Sequence, residues 1–151
     1  MNKYGKFLVM ILVSTVIMFG MMYLNVFSID HIFFSQTRAF MALMMGAVMA
    51  MIMILFMWKM YDKKKINIGI LIVSLLVFGG SLYMVRSQTA VDDTKWMKAM
   101  IPHHSIAILT SSRADLTDPE VKELAEKILT AQEEEIEEMK ELIKRLEAEG
   151  K

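Results

Sequence analysis

Three long apolar segments without a charged residue dominate the first half of the sequence: residues 7–24, 40–58 and 66–85. They contain 18, 19 and 20 residues. Because an α-helix rises ~1.5 Å per residue, helices of this length span ~27–30 Å, close to the ~30 Å hydrocarbon core of a bilayer. The sequence therefore predicts three transmembrane helices within residues 1–87, followed by a separate domain at residues 88–151.

Charge is distributed unevenly around these segments. Up to Gln88 there are eight basic and two acidic residues (net +6), and the remainder has nine basic and fifteen acidic residues (net −6). Lysines precede the first segment and are frequent in the second loop. In the first loop, residues 25–39, Arg38 is the only lysine or arginine. The positive-inside rule thus predicts a cytoplasmic N-terminus and a periplasmic (extracytoplasmic) C-terminal domain in a bacterial inner membrane. The basic residues flank apolar segments and form no stripe, which argues against nucleic-acid binding.

Methionine is unusually frequent, with 17 in 151 residues, and cysteine is absent. Within the second apolar segment methionine recurs at every fourth position: Met41, Met45, Met49, Met53 and Met57. One interpretation is that these flexible side chains pack the helices. Another is that their thioethers form a track for a soft monovalent metal such as Cu(I). His31 in the first loop could extend such a track, although a single loop histidine is more often solvated.

The soluble domain has the pattern of two amphipathic helices. The first is predicted to run to about Arg113 and to bend at Pro102. Asp118-Pro119 provides an N-cap and a favourable first residue for the second helix, which is predicted to run to about Glu149. The expected fold is therefore all-α: three transmembrane helices followed by an antiparallel helical hairpin. Two such hairpins from neighbouring chains would complete a four-helix bundle, so we expect a homo-oligomer.

Both predicted helices carry metal-binding side chains on the face that should be apolar. Placed at ~100° per residue, these side chains fall on or beside one stripe of each helix. A turn centred near residue 116 would place Gln132 and Glu135 beside Met97 and Met100, and Met139 beside Asp93. The candidate ligands are Asp93, Met97, Met100, His103, His104, Gln132, Glu135 and Met139. Since buried polar groups are costly unless paired, their coincidence favours a metal site between the helices.

The donor types favour copper over other metals. Thioether and imidazole suit Cu(I), and Cu(II) could bind imidazole and carboxylate. A di-iron site would need several carboxylates and a Glu-x-x-His repeat, and zinc sites use more histidine or cysteine. The structural alternative is that the methionines are core residues, that the paired histidines cap a bend at Pro102, and that the acidic side chains form a solvated face.

The soluble half resembles the domain of unknown function 305 family. The resemblance rests on Asp93-x-x-Trp96-Met97-x-x-Met100-Ile101-Pro102-His103-His104, then Asp118-Pro119-Glu120-Val121, and finally Ala131-Gln132-x-x-Glu135-Ile136-x-x-Met139. It implies a ferritin-like helical fold. Several members of the family are secreted or periplasmic copper-binding proteins linked to copper tolerance, so the resemblance implies copper binding as well. It also implies five ligands, with Asp93, Gln132 and Glu135 as further ligands or as residues that orient them. The five are Met97, Met100, His103, His104 and Met139.

The chain differs from many family members in one short segment, and its membrane half resembles that of one subgroup. Where many members carry a further methionine after the paired histidines, this chain has Leu109-Thr110-Ser111. The three-span membrane half resembles a bacterial subgroup of the family.

The resulting expectation is a membrane-anchored extracytoplasmic copper-binding protein, not an enzyme, that sequesters or hands over the ion in copper homeostasis or resistance. Its expected partners are the lipid bilayer, the metal ion and further copies of the chain. The main alternative is a membrane-anchored helical interaction or structural module without metal. A ferritin-like oxidase is disfavoured by the few inward carboxylates, and transport through the methionine-rich spans would need oligomerisation.

Overall fold

The fold is all-α. A computed structural model describes residues 2–150, in which we find five α-helices, two short 3-10 turns and no strand. The helices are α1 (Lys3–Met21), α2 (Gln36–Phe56), α3 (Lys64–Ser87), α4 (Asp93–Arg113) and α5 (Pro119–Ala148), and the 3-10 turns are Ile29–His31 and Trp58–Met60. Helices α1, α2 and α3 are long and apolar enough to cross a membrane. The all-α fold and the three apolar helices are therefore confirmed.

The chain divides into two compact units. The membrane unit comprises the residues up to Met22 together with Thr37–Ala90, and the helix-pair unit comprises Tyr23–Gln36 together with the residues from Val91 onward. The loop between the first two apolar helices thus groups with α4 and α5. This grouping could not be predicted from the sequence, because it depends on contacts between segments more than seventy residues apart.

Aromatic rings and one buried amide connect the ends of the helices in the membrane unit. The Tyr4 hydroxyl donates to Asn67 Oδ1 at 2.9 Å, and Asn67 Nδ2 donates to the Tyr61 carbonyl at 2.9 Å. Asn67 is fully buried, so these bonds satisfy an amide that would otherwise be costly there. Lys3 pairs with Asp62 at 3.0 Å nearby. The start of α1 therefore lies beside the loop that joins α2 to α3, at one end of this unit.

Helices α4 and α5 pack through one apolar cluster. Its buried members are Met97, Ile101, Ile108, Ile136, Met139 and Ile143. Asp92 caps α4 by accepting the Lys95 N–H, and Asp118 caps α5 by accepting from two backbone N–H groups. Past the end of α5, Gly150 adopts the left-handed φ of 71° that favours glycine. The helix boundaries therefore follow directly from capping residues in the sequence.

Candidate metal site

His104 and Glu135 form a polar contact between α4 and α5. His104 Nε2 lies 2.7 Å from Glu135 Oε2, and the histidine side chain is only 13% exposed. Gln132, one turn earlier on α5, donates from Nε2 to the same carboxylate oxygen at 3.2 Å. The structure thus brings three of the candidate ligands together.

The other ring nitrogen of His104 determines which atom is available to a metal. Nδ1 lies 3.0 Å from the Met100 carbonyl oxygen, one turn earlier in α4. Because a carbonyl oxygen can only accept, Nδ1 carries a proton and donates it. Nε2 is therefore the potential ligand atom, and metal-binding histidines are commonly oriented by such a bond to a carbonyl. A metal and a proton would compete for Nε2, because only the unprotonated nitrogen can be a ligand.

The methionines of this unit lie in or against the apolar cluster. Met97 is 4% exposed and Met139 is 6% exposed, and both belong to the cluster itself. Met100 is partly buried and packs against it. Along the chain, Met100 is one turn from His104 on α4, and Met139 is one turn from Glu135 on α5. The site therefore combines a polar edge with a sulfur-containing core.

Two candidate ligands lie outside this arrangement. Asp93 is exposed in the first turn of α4, where a carboxylate interacts favourably with the helix dipole. His103 is exposed, with its ring centroid 6.1 Å from that of His104. Throughout residues 2–150, no group of three or more His, Cys, Asp or Glu side chains could hold a metal ion.

The register of the two helices differs from the one estimated from the sequence. Lys98 pairs with Glu147 at 2.6 Å, and His104 pairs with Glu135. Glu135 therefore lies beside His104 rather than beside Met97 and Met100. Met139 falls between these two contacts along α5, so it does not lie beside Asp93.

Residues 114–118 join the two helices. Ala114 and Asp118 both have extended backbone angles, with ψ of 133° and 130°. Between them, the Leu116 N–H donates to the Ala114 carbonyl at 3.0 Å, so the segment also contains a tight turn.

The loop between α1 and α2 packs on α4 through His31. This histidine is buried, although a single histidine in a loop is expected to be solvated. His31 is 8% exposed, and its Nδ1 lies 2.9 Å from Ser105 Oγ. The same hydroxyl oxygen accepts the Phe27 N–H at 2.7 Å. Ser105 is fully buried and follows His104 directly. A serine within the Ile101 and Ile108 stripe was the available sequence signal for this contact.

Lys140 of α5 holds the same loop from the other helix. Its Nζ lies 2.6 Å from Asp30 Oδ2 and 2.9 Å from Glu137 Oε1. Hydrogen bonds from Lys140 and then Ser28 hold the pKa of Asp30 well below its usual value. Desolvation opposes the charge of Lys140, but the bonds to Asp30 and Glu137 outweigh it and raise the pKa of Lys140. Both groups therefore stay charged at neutral pH.

We expect the helix-pair unit to lose stability as the pH falls below ~6.5, the usual pKa of histidine. Burial lowers the pKa of His31, with Asp30 and Glu137 opposing the shift and Lys140 adding to it. Between the pKa of His31 in the folded chain and its higher pKa in the unfolded chain, the unfolded chain binds more protons. The free energy of unfolding therefore decreases as the pH is lowered across that window.

Unfolding measured between pH 5 and 8 tests this expectation. His31→Gln should flatten the slope, and substitution of the exposed His103 by Gln provides the matched control. An unchanged slope in the His31 variant would contradict the assignment.

The structure so far defines a class: an all-α chain with three membrane-length helices and a separate unit built on two packed helices. Residues 84–149 match the model of the family described as Domain of unknown function (DUF305). This match supports assigning the segment that holds α4 and α5 to that domain family.

A protein of Acanthamoeba polyphaga mimivirus, named Uncharacterized protein L153, is 35% identical over 89 residues. The matched region is 55% of this chain and 59% of that protein, so the chain spans less than two thirds of the relative's length. No solved structure matches the chain.

Proposed function

We propose that the helix-pair unit binds copper, with Cu(I) preferred. The observation that carries the proposal is His104, whose Nδ1 donates to a carbonyl while Nε2 faces Glu135 beside the methionine-containing core. Soft thioethers with one neutral imidazole suit Cu(I), and the adjacent carboxylate and amide suit Cu(II). Met97, Met100, His104 and Met139 are the proposed ligands, with Glu135 and Gln132 orienting the imidazole. We propose the exposed His103 as the ligand that first contacts the ion. Asp93 is assigned a structural role instead, because its carboxylate interacts favourably with the dipole at the start of α4.

We place this site in a bacterial inner-membrane protein with a cytoplasmic N-terminus and a periplasmic metal-binding unit. The support is the distribution of lysines around the three apolar helices. Such a site would sequester copper or hand it over in homeostasis or resistance, without chemical turnover. The partners are the bilayer, the metal ion and further copies of the chain.

We also propose that two helix pairs form a ferritin-like four-helix bundle. Val121, Leu124 and Ile128 remain 46%, 57% and 39% exposed on the first half of α5. Apolar residues at this spacing form one face of a helix, and a second helix pair would cover it. Dependence of the melting temperature on protein concentration would support this assembly.

Titration of the purified full-length chain with Cu(I) against a competing chelator tests copper binding. We expect at least one equivalent bound with sub-micromolar affinity, and copper in protein purified from copper-supplemented cells. Binding no tighter than the micromolar range would refute the proposal.

Copper binding at His104 should release a proton. Nε2 of His104 lies 2.7 Å from Glu135 Oε2, and Cu(I) competes with a proton for that nitrogen. We therefore expect proton release when Cu(I) is added to the protein in weakly buffered solution, monitored with a pH indicator. His104→Ala should remove this release, and Thr110→Ala, an exposed substitution on the same helix, should preserve it.

The second candidate function is a membrane-anchored helical interaction or structural module without metal. The exposed apolar face at Val121, Leu124 and Ile128 favours it, because such a face could bind a partner helix. In that case the contact between His104 and Glu135 would only join the two helices. The chelator titration separates the two functions, because the interaction module predicts no tight copper binding.

A further inference from the structure

Four methionines line one groove within the membrane unit. Met44, Met45, Met49 and Met53 of α2 lie beside Phe78 of α3 around a space of about 430 Å³. Val48 and Ile52 complete the lining. Met45, Met49 and Met53 follow one another at intervals of one helical turn, and all four methionines are partly buried. The four methionines therefore lie along one groove instead of being dispersed over the helix surface.

Methionine is concentrated in this groove and does not line a second groove of the same unit. A larger groove of about 570 Å³ in the same unit is lined by sixteen residues from α1, α2 and α3, none of which is methionine. Leucine, isoleucine, valine and small residues supply its apolar surface instead. If methionine served only as apolar filler, both grooves of one helix bundle should use it.

The chemistry of the groove suits a soft monovalent cation. Neighbouring turns of a helix place Cβ atoms ~5–6 Å apart, so two flexible methionine side chains can direct their sulfurs at one ion between them. Thioethers select Cu(I) among the biological metals. Because thioethers are neutral and apolar, the groove can provide ligands without burying a charged side chain in the bilayer. Phe78 adds an aromatic ring, and such rings attract both cations and thioether sulfur.

We propose that this groove is a second metal site, which binds one soft monovalent cation, Cu(I) or Ag(I), within the membrane unit. Met45 and Met49 are the central pair of ligands, and Met44 or Met53 provides a third sulfur. The site is separate from the one on α4 and α5 and does not depend on it.

The test measures Ag(I) bound by the full-length chain in detergent micelles, by equilibrium dialysis and elemental analysis. Ag(I) serves as the probe because it shares the ligand preference of Cu(I) and resists oxidation. The groove variant is Met44→Leu, Met45→Leu, Met49→Leu and Met53→Leu. The matched control replaces three methionines of α1 in the same way: Met10, Met18 and Met21. Leucine conserves volume, so both sets should keep the helices intact.

Each set is made in the natural chain and in a chain whose α4–α5 site is removed by Met97→Leu, Met100→Leu, His103→Ala and His104→Ala. We expect the groove variant to lose one Ag(I) per chain in both backgrounds, and the α1 control to lose none. Equal Ag(I) binding by the groove variant and the α1 control would overturn the proposal. If α4 and α5 held no metal site, the result would be different. The natural chain and the chain without the α4–α5 ligands would then bind the same amount of Ag(I).

A single substitution keeps the test decisive if the fourfold variant does not fold. Met49→Leu should weaken Ag(I) binding at least tenfold in the chain lacking the α4–α5 site, with helicity unchanged by far-UV circular dichroism. An affinity equal to that of Met18→Leu would overturn the proposal. X-ray absorption of the Cu(I)-loaded chain in this background should show sulfur neighbours alone, and nitrogen neighbours would contradict thioether ligation.

Discussion

Replacing Met97 and Met100 by leucine, together with His103 and His104 by alanine, should weaken Cu(I) binding to the helix-pair unit at least ~100-fold. The reason is that the substitutions remove an imidazole oriented by a backbone carbonyl and two of the proposed thioether ligands. A ~100-fold loss corresponds to ~2.7 kcal/mol of binding free energy. Competition with a Cu(I) chelator measures it, in a chain whose groove methionines are leucine so that only one site contributes.

Controls separate loss of ligands from loss of structure. Leucine has nearly the volume of methionine, so the cluster around buried Met97 should tolerate it at less than ~1.5 kcal/mol. A matched carboxylate pair provides a finer test: Glu135→Gln removes the contact with His104, whereas Glu134→Gln alters an exposed neighbour. We expect Glu135→Gln to weaken copper binding about tenfold and Glu134→Gln to leave it unchanged. Unchanged copper affinity in the fourfold variant would exclude this site.

The three long apolar helices were predictable because their signal is local. An uncharged apolar segment of 18 to 20 residues has few alternatives to a membrane helix, and α1, α2 and α3 include most of the predicted residues. The last helix was also predictable, since Asp118 and Gly150 mark its ends by capping chemistry. In both cases the decisive interactions lie within one turn of the residue concerned.

The arrangement of the candidate site was only partly predictable. Helical periodicity correctly placed Met97 and Met139 on buried faces, because that property belongs to each helix alone. The partner of Glu135 was not accessible in this way, since it depends on how α4 and α5 pack together and not on the periodicity of either helix. The burial of His31 was missed for a related reason: a loop residue becomes buried only when a distant segment, here at Ser105, covers it.

The largest effect on stability is expected for Ile108→Ala in α4. Ile108 is 1% exposed within the cluster that joins α4 to α5, and truncating a buried isoleucine costs ~2–5 kcal/mol. A unit of this size with one small core has only a few kcal/mol of stability, so the variant should be largely unfolded at room temperature. Urea unfolding followed by Trp96 fluorescence in a Trp58→Phe chain measures this, and exposed Thr110→Ala should change stability by less than ~0.5 kcal/mol.

The same variant connects the fold to the proposed metal site. A ligand that binds only the folded state stabilises it by ~2.7 kcal/mol at a hundred times its dissociation constant. Cu(I) should therefore restore much of the folded population of Ile108→Ala. It should not restore Ile108→Ala combined with Met97→Leu, Met100→Leu and His104→Ala, because that chain lacks the ligands. Equal recovery of both variants would show that copper stabilises this unit through other residues, and recovery of neither would show that it binds the folded helix pair too weakly to matter.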